Sequence, residues 1–260
     1  MKQFILCHEP CENGEVLLAG EDFHYLARVR RIRAGDTVDC RLPSGKSAVL
    51  RIKCIEKNTL TAECIPTETK AQTTLPPIIL FQAIPKGSKM DIIVRQAGET
   101  GVSVIAPFYS ERSIPRRADG SDAAPERFRR WQRILVEARQ QSGSQVTASV
   151  EEPQSFDGII KYWGRLKEQR EKTLALLVHE VPLAKSGFHI YLDTIPESVV
   201  LAVGPEGGFS TAEVTAFMEA GFQPVTLGDT ILRTESAALY SVAVVRTLIF
   251  ERRMWTTMKQ

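Results

Sequence analysis

The sequence predicts a two-part α/β protein: a small β-barrel followed by a larger domain built on a parallel sheet. Three observations lead there. Short apolar stretches separated by turn signals occupy the first quarter of the chain, and a polar, proline-bounded segment follows. Beyond it, continuous apolar runs alternate with amphipathic helices that stop at glycines. At 260 residues, 43% hydrophobic and 25% charged, the composition is that of an ordinary globular protein with a sizeable core.

In chain order, Gln3–Leu6, Val16–Leu18, Thr37–Leu42, Ser47–Ile55 and Thr59–Ile65 read as strands. Asn13-Gly14, Ala34-Gly35-Asp36, Pro43-Ser44-Gly45 and Lys57-Asn58 supply the turns between them. One short helix fits at Asp22–Arg31. Strands this short and this closely spaced point to a barrel. From Pro66 to Pro77 there is no periodicity, so this stretch reads as a linker and divides the chain into domains 1–70 and 71–260.

Ile78–Ile84 is a continuous apolar strand. Ser88 then opens a helix, with Asp91 three residues on as a variant of the capping box, Met90, Ile93, Val94 and Ala97 on one face and Gly101 as terminator. Val102–Pro107 is the next strand. A second helix spans Pro125–Ser142, with Phe128, Trp131, Leu135 and Ala138 inward and Gly143 as its stop. Further strands are expected at Val146–Val150, Leu174–His179, Val199–Val203 and Pro224–Leu227. Apolar strands separated by amphipathic helices imply a parallel sheet covered on both faces.

Net charge is only +2, but eight basic residues against two acids fall between Ala27 and Lys53. The run Arg28, Arg30, Arg31, Arg33 is its densest part. A second group comprises Arg112, Arg116, Arg117, Arg127, Arg129, Arg130 and Arg133. Each group is a solvated face or a nucleic-acid footprint. The five cysteines are odd in number and irregularly spaced, which argues against a disulfide framework and fits a reducing, cytoplasmic setting. Cys7-His8-x-x-Cys11 has no second pair at zinc spacing, so the cysteines read as small buried hydrophobes and no metal is expected. No apolar run reaches the ~20 residues of a membrane helix, and no signal-peptide core precedes His8.

The segment Gly204-Pro205-Glu206-Gly207-Gly208 stands between a buried strand and a helix opened by Ser210-x-x-Glu213, a capping box with Val214, Phe217 and Met218 on one face and Gly221 as stop. In parallel sheets ligands bind at the strands' C-terminal ends, and glycines there let backbone groups approach a ligand. Set against this is a glycine-rich turn with no ligand. Neither phosphate-loop pattern occurs, and a carboxylate in the loop would repel phosphate. Leu227–Ala238 forms a second strand-to-helix loop, with Thr234 as N-cap, so the two loops would enclose one crevice. The last helix, Thr234–Met254, is apolar on several sides, which implies burial either within the domain or between two subunits.

Gly-Pro-Glu-Gly-Gly-Phe-Ser-x-x-Glu followed by Leu-Gly-x-x-Ile-Leu-Arg-Thr-Glu-Ser-Ala resembles the paired cofactor loops of SPOUT-class RNA methyltransferases. It is most similar to the bacterial ribosomal RNA small-subunit methyltransferase E family. Lys86-Gly87-x-Lys89-Met90, Glu99-x-Gly101-Val102, Glu111-Arg112-Ser113, Trp131-Gln132 and Gln141-Ser142-Gly143 extend the likeness along nearly the whole chain. The resemblance implies an S-adenosylmethionine-dependent enzyme that methylates N3 of a uridine in 16S rRNA of the small ribosomal subunit. It implies a homodimer with a PUA-like RNA-binding barrel and a parallel-sheet α/β domain threaded into a trefoil knot. His179, Gly204, Pro205, Glu206, Gly207, Leu227, Gly228, Ile231, Leu232, Arg233, Thr234 and Ala237 would hold the cofactor, and Arg28, Arg30, Arg31, Arg33, Lys86, Lys89 and Arg112 the RNA. Where the family has Glu-Gln-Ser-Gly-Arg, this chain has Gln140-Gln141-Ser142-Gly143-Ser144, so Arg139 or another residue takes the arginine's place or the target differs. The alternatives are another RNA target, a tRNA or a ribose 2′-hydroxyl, and an inactive RNA-binding assembly factor.

Methyl transfer to uracil N3 needs alignment, loss of the N3 proton and stabilisation of the developing anion. Arg233 is the expected cation at a uracil carbonyl, set against a structural ion pair with Glu206 or Glu235. Glu235 is either a proton acceptor or a carboxylate stabilising a helix start. A negative contact at sulfur would favour the ground state, so Glu206 is expected to bond the cofactor's periphery or a neighbouring loop.

Overall fold

Turn chemistry cuts the first 66 residues into five strands, β1 (Phe4–Ile5), β2 (Glu15–Ala19), β3 (Thr37–Arg41), β4 (Ser47–Ile55) and β5 (Thr59–Pro66). The computed structural model describes residues 4–258 except 7, 12, 45, 68–74, 114–122, 143, 145 and 184–186. It divides into two compact units, residues 1–73 with 140–147 and residues 74–139 with 148–260. The part of the expected linker between 68 and 74, the expected helix stop Gly143, and Arg116 and Arg117 lie outside the described residues.

In the first unit the sheet order is β1-β3-β4-β5-β2, with β1 parallel to β3 and every other pair antiparallel. Alternation sends Val16, Leu18, Val38, Cys40, Leu50, Ile52, Leu60 and Ala62 into one core, as a sheet with one covered face requires. The helix expected at Asp22–Arg31 is present in altered form. α1 (Gly20–Phe23) passes directly into a π-helical turn, His24–Val29. The wider turn keeps Phe23 and Leu26 inside and is a geometry that helical periodicity does not signal. Two residues past its end stands Arg31, whose φ of 53° is left-handed, a conformation that disfavours any side chain with a Cβ.

The second unit has seven strands, β6 (Ile78–Ala83), β7 (Val104–Tyr109), β8 (Ser149–Val150), β9 (Gln154–Ser155), β10 (Thr173–Val178), β11 (Ser198–Val203) and β12 (Gln223–Val225), all paired in parallel. Their order is β12-β10-β11-β6-β7-β8, with β9 beside β7. Among the described residues five helices lie between them, α2 (Lys89–Thr100), α3 (Ala123–Ser142), α4 (Phe156–Gln169), α5 (Phe188–Tyr191) and α6 (Thr211–Glu219), and α7 (Thr234–Met258) follows the last strand. Strand alternation splits the interior into two cores. Ile78, Leu80, Leu176, Leu201 and Val225 pack under α2, α3, α5 and α7. Ile79, Phe81, Phe108, Leu177 and Val200 pack under α4 and α6. The result is the doubly covered parallel sheet expected of continuous apolar strands.

Several local expectations are corrected. Ser88 has φ −92° and ψ 9°, outside the extended region a cap needs, and its side chain makes no capping bond. Asp91 pairs instead with Arg130 of α3. Met218 is 43% exposed rather than inward. The α7 cap falls one residue earlier than Thr234: the N–H of Ala237 bonds the Arg233 carbonyl. Helix α4 was not expected. Its signals were Ser155, whose hydroxyl accepts from the Gly158 N–H, and Ile159 and Trp163 at helical spacing, masked by two interior glycines. Cys40 and Cys64 are buried as expected, whereas Cys11 and Cys54 are exposed.

Candidate functional site

β10, β11 and β12 end on the same edge of the second unit's sheet, and the segments leaving them enclose a cavity of about 260 Å³. Val178, His179 and Glu180 come from the end of β10. Val203, Gly204, Pro205, Glu206, Gly208 and Phe209 follow β11, and Leu227, Gly228, Thr230, Ile231, Leu232, Arg233, Thr234 and Ala237 lie between β12 and the first turn of α7. Every residue expected to hold a cofactor lines this cavity except Gly207, whose carbonyl accepts a hydrogen bond from Arg112 Nη1 at 2.8 Å. Sequence reasoning did not single out Val178, Glu180, Val203, Gly208 and Phe209, and covered Thr230 only as part of the Leu227–Ala238 loop. Position in or beside a recognised loop was the only signal they carried.

The loop after β11 is held from outside. The Lys86 N–H donates to both Glu206 carboxylate oxygens at 3.1 and 3.3 Å, and Lys89 Nζ donates at 2.6 Å. Burial pushes the Glu206 carboxyl up. The hydrogen bond from Lys89 and the backbone N–H groups outweigh it and hold the group below its ordinary value. Glu206 thus bonds a neighbouring loop, one of the two alternatives expected of it. A Cβ at Gly204 would be crowded, meeting Gly208 backbone at 3.3 Å. Gly208 (φ 65°) and Gly228 (φ 131°) occupy left-handed backbone that favours glycine.

The capping box at α6 forms as expected. The Ser210 hydroxyl accepts from the Glu213 N–H at 3.3 Å, and Glu213 Oε2 accepts from the Ser210 N–H at 2.9 Å. The buried Glu213 carboxylate also accepts from Ser110 Oγ at 3.0 Å and from the Glu111 N–H at 2.9 Å. It therefore ties the β7–α3 loop to the helix that follows the glycine turn. On the other wall, Thr234 Oγ1 donates to the Gly204 carbonyl at 2.6 Å.

Arg233 is exposed at the cavity rim and forms no ion pair among the described residues, so neither Glu206 nor Glu235 neutralises it. Glu235 lies in the first turn of α7, outside the lining, with Oε2 buried and lacking a hydrogen-bond partner among the described residues. At His179, Nδ1 lies 3.1 Å from both the N–H and the carbonyl oxygen of Val181, so the ring's tautomer sets which of the two it bonds. Of the residues expected to touch RNA, Lys89 and Arg112 serve the glycine loop, and the Lys86 side chain is exposed. Arg28, Arg30, Arg31 and Arg33 are exposed on the first unit, at the end of the π-helical turn, with Arg28 over the Phe23 ring at 5.9 Å. Arg139 is buried. Among the described residues no cluster of three His, Cys, Asp or Glu side chains stands ready for a metal, and no helix is long and apolar enough to cross a membrane.

Residues 72–246 match an RNA methyltransferase domain family, and residues 18–64 match an RNA methyltransferase PUA domain family. Over 249 residues the chain is 31% identical to ribosomal RNA small subunit methyltransferase E of Synechocystis sp., covering 95% of this chain and 78% of that one. Over 233 residues it is 32% identical to the protein of the same name from Aquifex aeolicus, covering 88% and 93%. Among solved structures, a ribosomal RNA small subunit methyltransferase E from Neisseria gonorrhoeae bound to S-adenosyl methionine matches at TM-score 0.76 and 30% identity. That match covers 95% of this chain and 98% of the other.

Proposed function

The chain belongs to the ribosomal RNA small subunit methyltransferase E family, and from that premise we infer that it methylates N3 of a uridine in 16S rRNA, using S-adenosylmethionine. The observation that carries this reading is the cavity at the ends of β10, β11 and β12. Its composition suits the cofactor: Val178, Val203, Leu227, Ile231 and Leu232 offer apolar faces for a purine, and the glycine turns bring backbone donors and acceptors close. When bound, the cofactor supplies a methyl group already activated on a sulfonium.

The protein's own part is alignment and charge control. The loops after β11 and β12 orient the donor. Arg233, which has no ion pair among the described residues, steadies the negative charge that develops on a uracil carbonyl as the N3 proton leaves. Glu235, absent from the lining, supports the N-terminus of α7. The exposed Arg28, Arg30, Arg31 and Arg33 take RNA phosphates, while Lys89 and Arg112 fix the cofactor loop beside Lys86. α7 carries a second apolar face with Tyr240, Phe250 and Met254 outward, which a second copy of the chain covers in a homodimer. The substrate places the enzyme in the cytoplasm. The threading is that of the family, a trefoil knot in which the loops after β11 and β12 lie together.

The test is methyl transfer from labelled S-adenosylmethionine to purified small-subunit particles, followed by nucleoside analysis. Label is expected in 3-methyluridine. Label on a ribose or in tRNA refutes the target, and cofactor binding without transfer supports the inactive assembly factor. Arg233→Ala is expected to lower kcat by 10²-fold or so while leaving cofactor affinity intact. Unchanged turnover removes Arg233 from the reaction.

A further inference from the structure

β6 is apolar except for Gln82, which is fully buried in the sheet opposite Val203 of β11. Its Nε2 lies 2.9 Å from the Ala83 carbonyl, 3.2 Å from Thr234 Oγ1 and 3.5 Å from the Val203 carbonyl. The amide orientation is decided by those carbonyls, since the opposite flip would set oxygen against oxygen. Thr234 then has no choice of direction. Its oxygen accepts from Gln82, and its one proton goes to the Gly204 carbonyl at 2.6 Å. A one-way relay results, from Gln82 through the Thr234 hydroxyl to Gly204, linking β6, the start of α7 and the glycine turn.

Two features separate this from ordinary core packing. Gln82 Oε1 is buried with no hydrogen-bond partner among the described residues, a penalty that an aliphatic side chain of similar size would not carry. The relay also engages two successive carbonyls, Val203 directly and Gly204 through Thr234. Successive carbonyls of an extended strand point to opposite sides. The short Thr234 bond fixes the Gly204 carbonyl at the point where strand gives way to loop and the cavity begins.

We propose that Gln82 is a positioning residue for the methyl-donor site, acting through the Thr234 hydroxyl to set the Gly204 turn that joins the cavity's two walls. The proposal rests on reading that cavity as the S-adenosylmethionine site. Gln82 touches no ligand itself. Its contribution is to organise the turn before the donor arrives, so that binding carries no cost of ordering it.

The experiment is calorimetric titration of S-adenosylmethionine into Gln82→Leu, Thr234→Val, Thr234→Ser and the Gln82→Leu/Thr234→Val double variant, with urea midpoints for each. Gln82→Leu and Thr234→Val are expected to weaken binding about tenfold. Thr234→Ser should restore it, and the double variant should be no weaker than the worse single, because the relay acts as one unit. The Gln82→Leu midpoint should equal or exceed that of the wild type. Wild-type affinity in Gln82→Leu overturns the proposal, as do losses that add in the double variant or that track a falling midpoint. If Gln82→Leu does not fold, Gln82→Met takes its place, and equal binding by Thr234→Val and Thr234→Ser is itself a refutation. A wild-type protein that binds no S-adenosylmethionine refutes the donor-site reading and not the relay.

Discussion

Replacing Glu213 with alanine removes the acceptor for three hydrogen bonds: from the Ser210 N–H at 2.9 Å, Ser110 Oγ at 3.0 Å and the Glu111 N–H at 2.9 Å. Its side chain is 5% exposed, so water does not replace the lost acceptor. A hydrogen bond to a charged group is worth roughly 1.5–3 kcal/mol alone, and three at one carboxylate are not additive. Loss of the cap alone costs about 1 kcal/mol. Glu213→Ala is therefore expected to destabilise the second unit by about 3 kcal/mol. Glu213→Gln should lose less, about 2 kcal/mol. It keeps an acceptor for Glu111 and lets the Ser110 hydroxyl turn round, but sets an amide N–H against the N–H of Ser210. Urea unfolding followed by tryptophan fluorescence isolates the right unit, since Trp131, Trp163 and Trp255 all lie within it. With a slope near 2 kcal/mol per molar, the midpoint for the alanine variant falls by about 1.5 M. A midpoint within 0.2 M of the wild type would refute the claim that this carboxylate holds the β7–α3 loop to α6.

Three further outcomes follow from named contacts. Because the Glu206 carboxyl is held below its ordinary value of 4.5, its contribution is fully present above that value and is lost as pH falls through the depressed folded value. S-adenosylmethionine affinity should hold from neutral pH down to the ordinary carboxylate value and fall only below it, whereas Glu206→Gln should bind more weakly without that acid limb; an identical acid limb in both proteins contradicts the assignment. Arg30→Ala combined with Arg31→Ala should weaken RNA binding and flatten its salt dependence by ~1.4 in slope, with cofactor affinity unchanged, and equal RNA binding by the variant speaks against the phosphate role. Phe250→Asp on the outward face of α7 should halve the sedimenting mass, and an unaltered mass rules that face out as the subunit contact.

Much of the architecture was written in local pattern. Asn13-Gly14 and Lys57-Asn58 delimit strands within a residue or two of where they stand, and Ser210 with Glu213 marks the start of α6. What escaped was of two kinds. Ser88 and Thr234 sit where caps are expected, yet the backbone at Ser88 is not extended and the Thr234 hydroxyl is directed at Gly204. Side-chain chemistry alone does not decide between such partners. The bonds that shape the cavity join residues remote in sequence, Lys89 to Glu206, Ser110 to Glu213 and Gln82 to Thr234, and no periodicity encodes them. The glycine loops were legible because turns without a Cβ are rare at the end of a buried strand. Val178 and Glu180 were not, because nothing in their neighbourhood distinguishes them until the strands are assembled.

β11 sits between β10 and β6, both of which precede it in the chain. During synthesis, therefore, β10 and the β6–β7–β8 half of the sheet emerge before the strand that must separate them. Each waits with an open, apolar edge, and a premature pairing of β10 with β6 has to be undone before β11 can enter. Assembly of this kind depends on distant contacts and is intrinsically slow. The open edges of β10 and β6 therefore stay exposed until β11 has left the ribosome and paired between them.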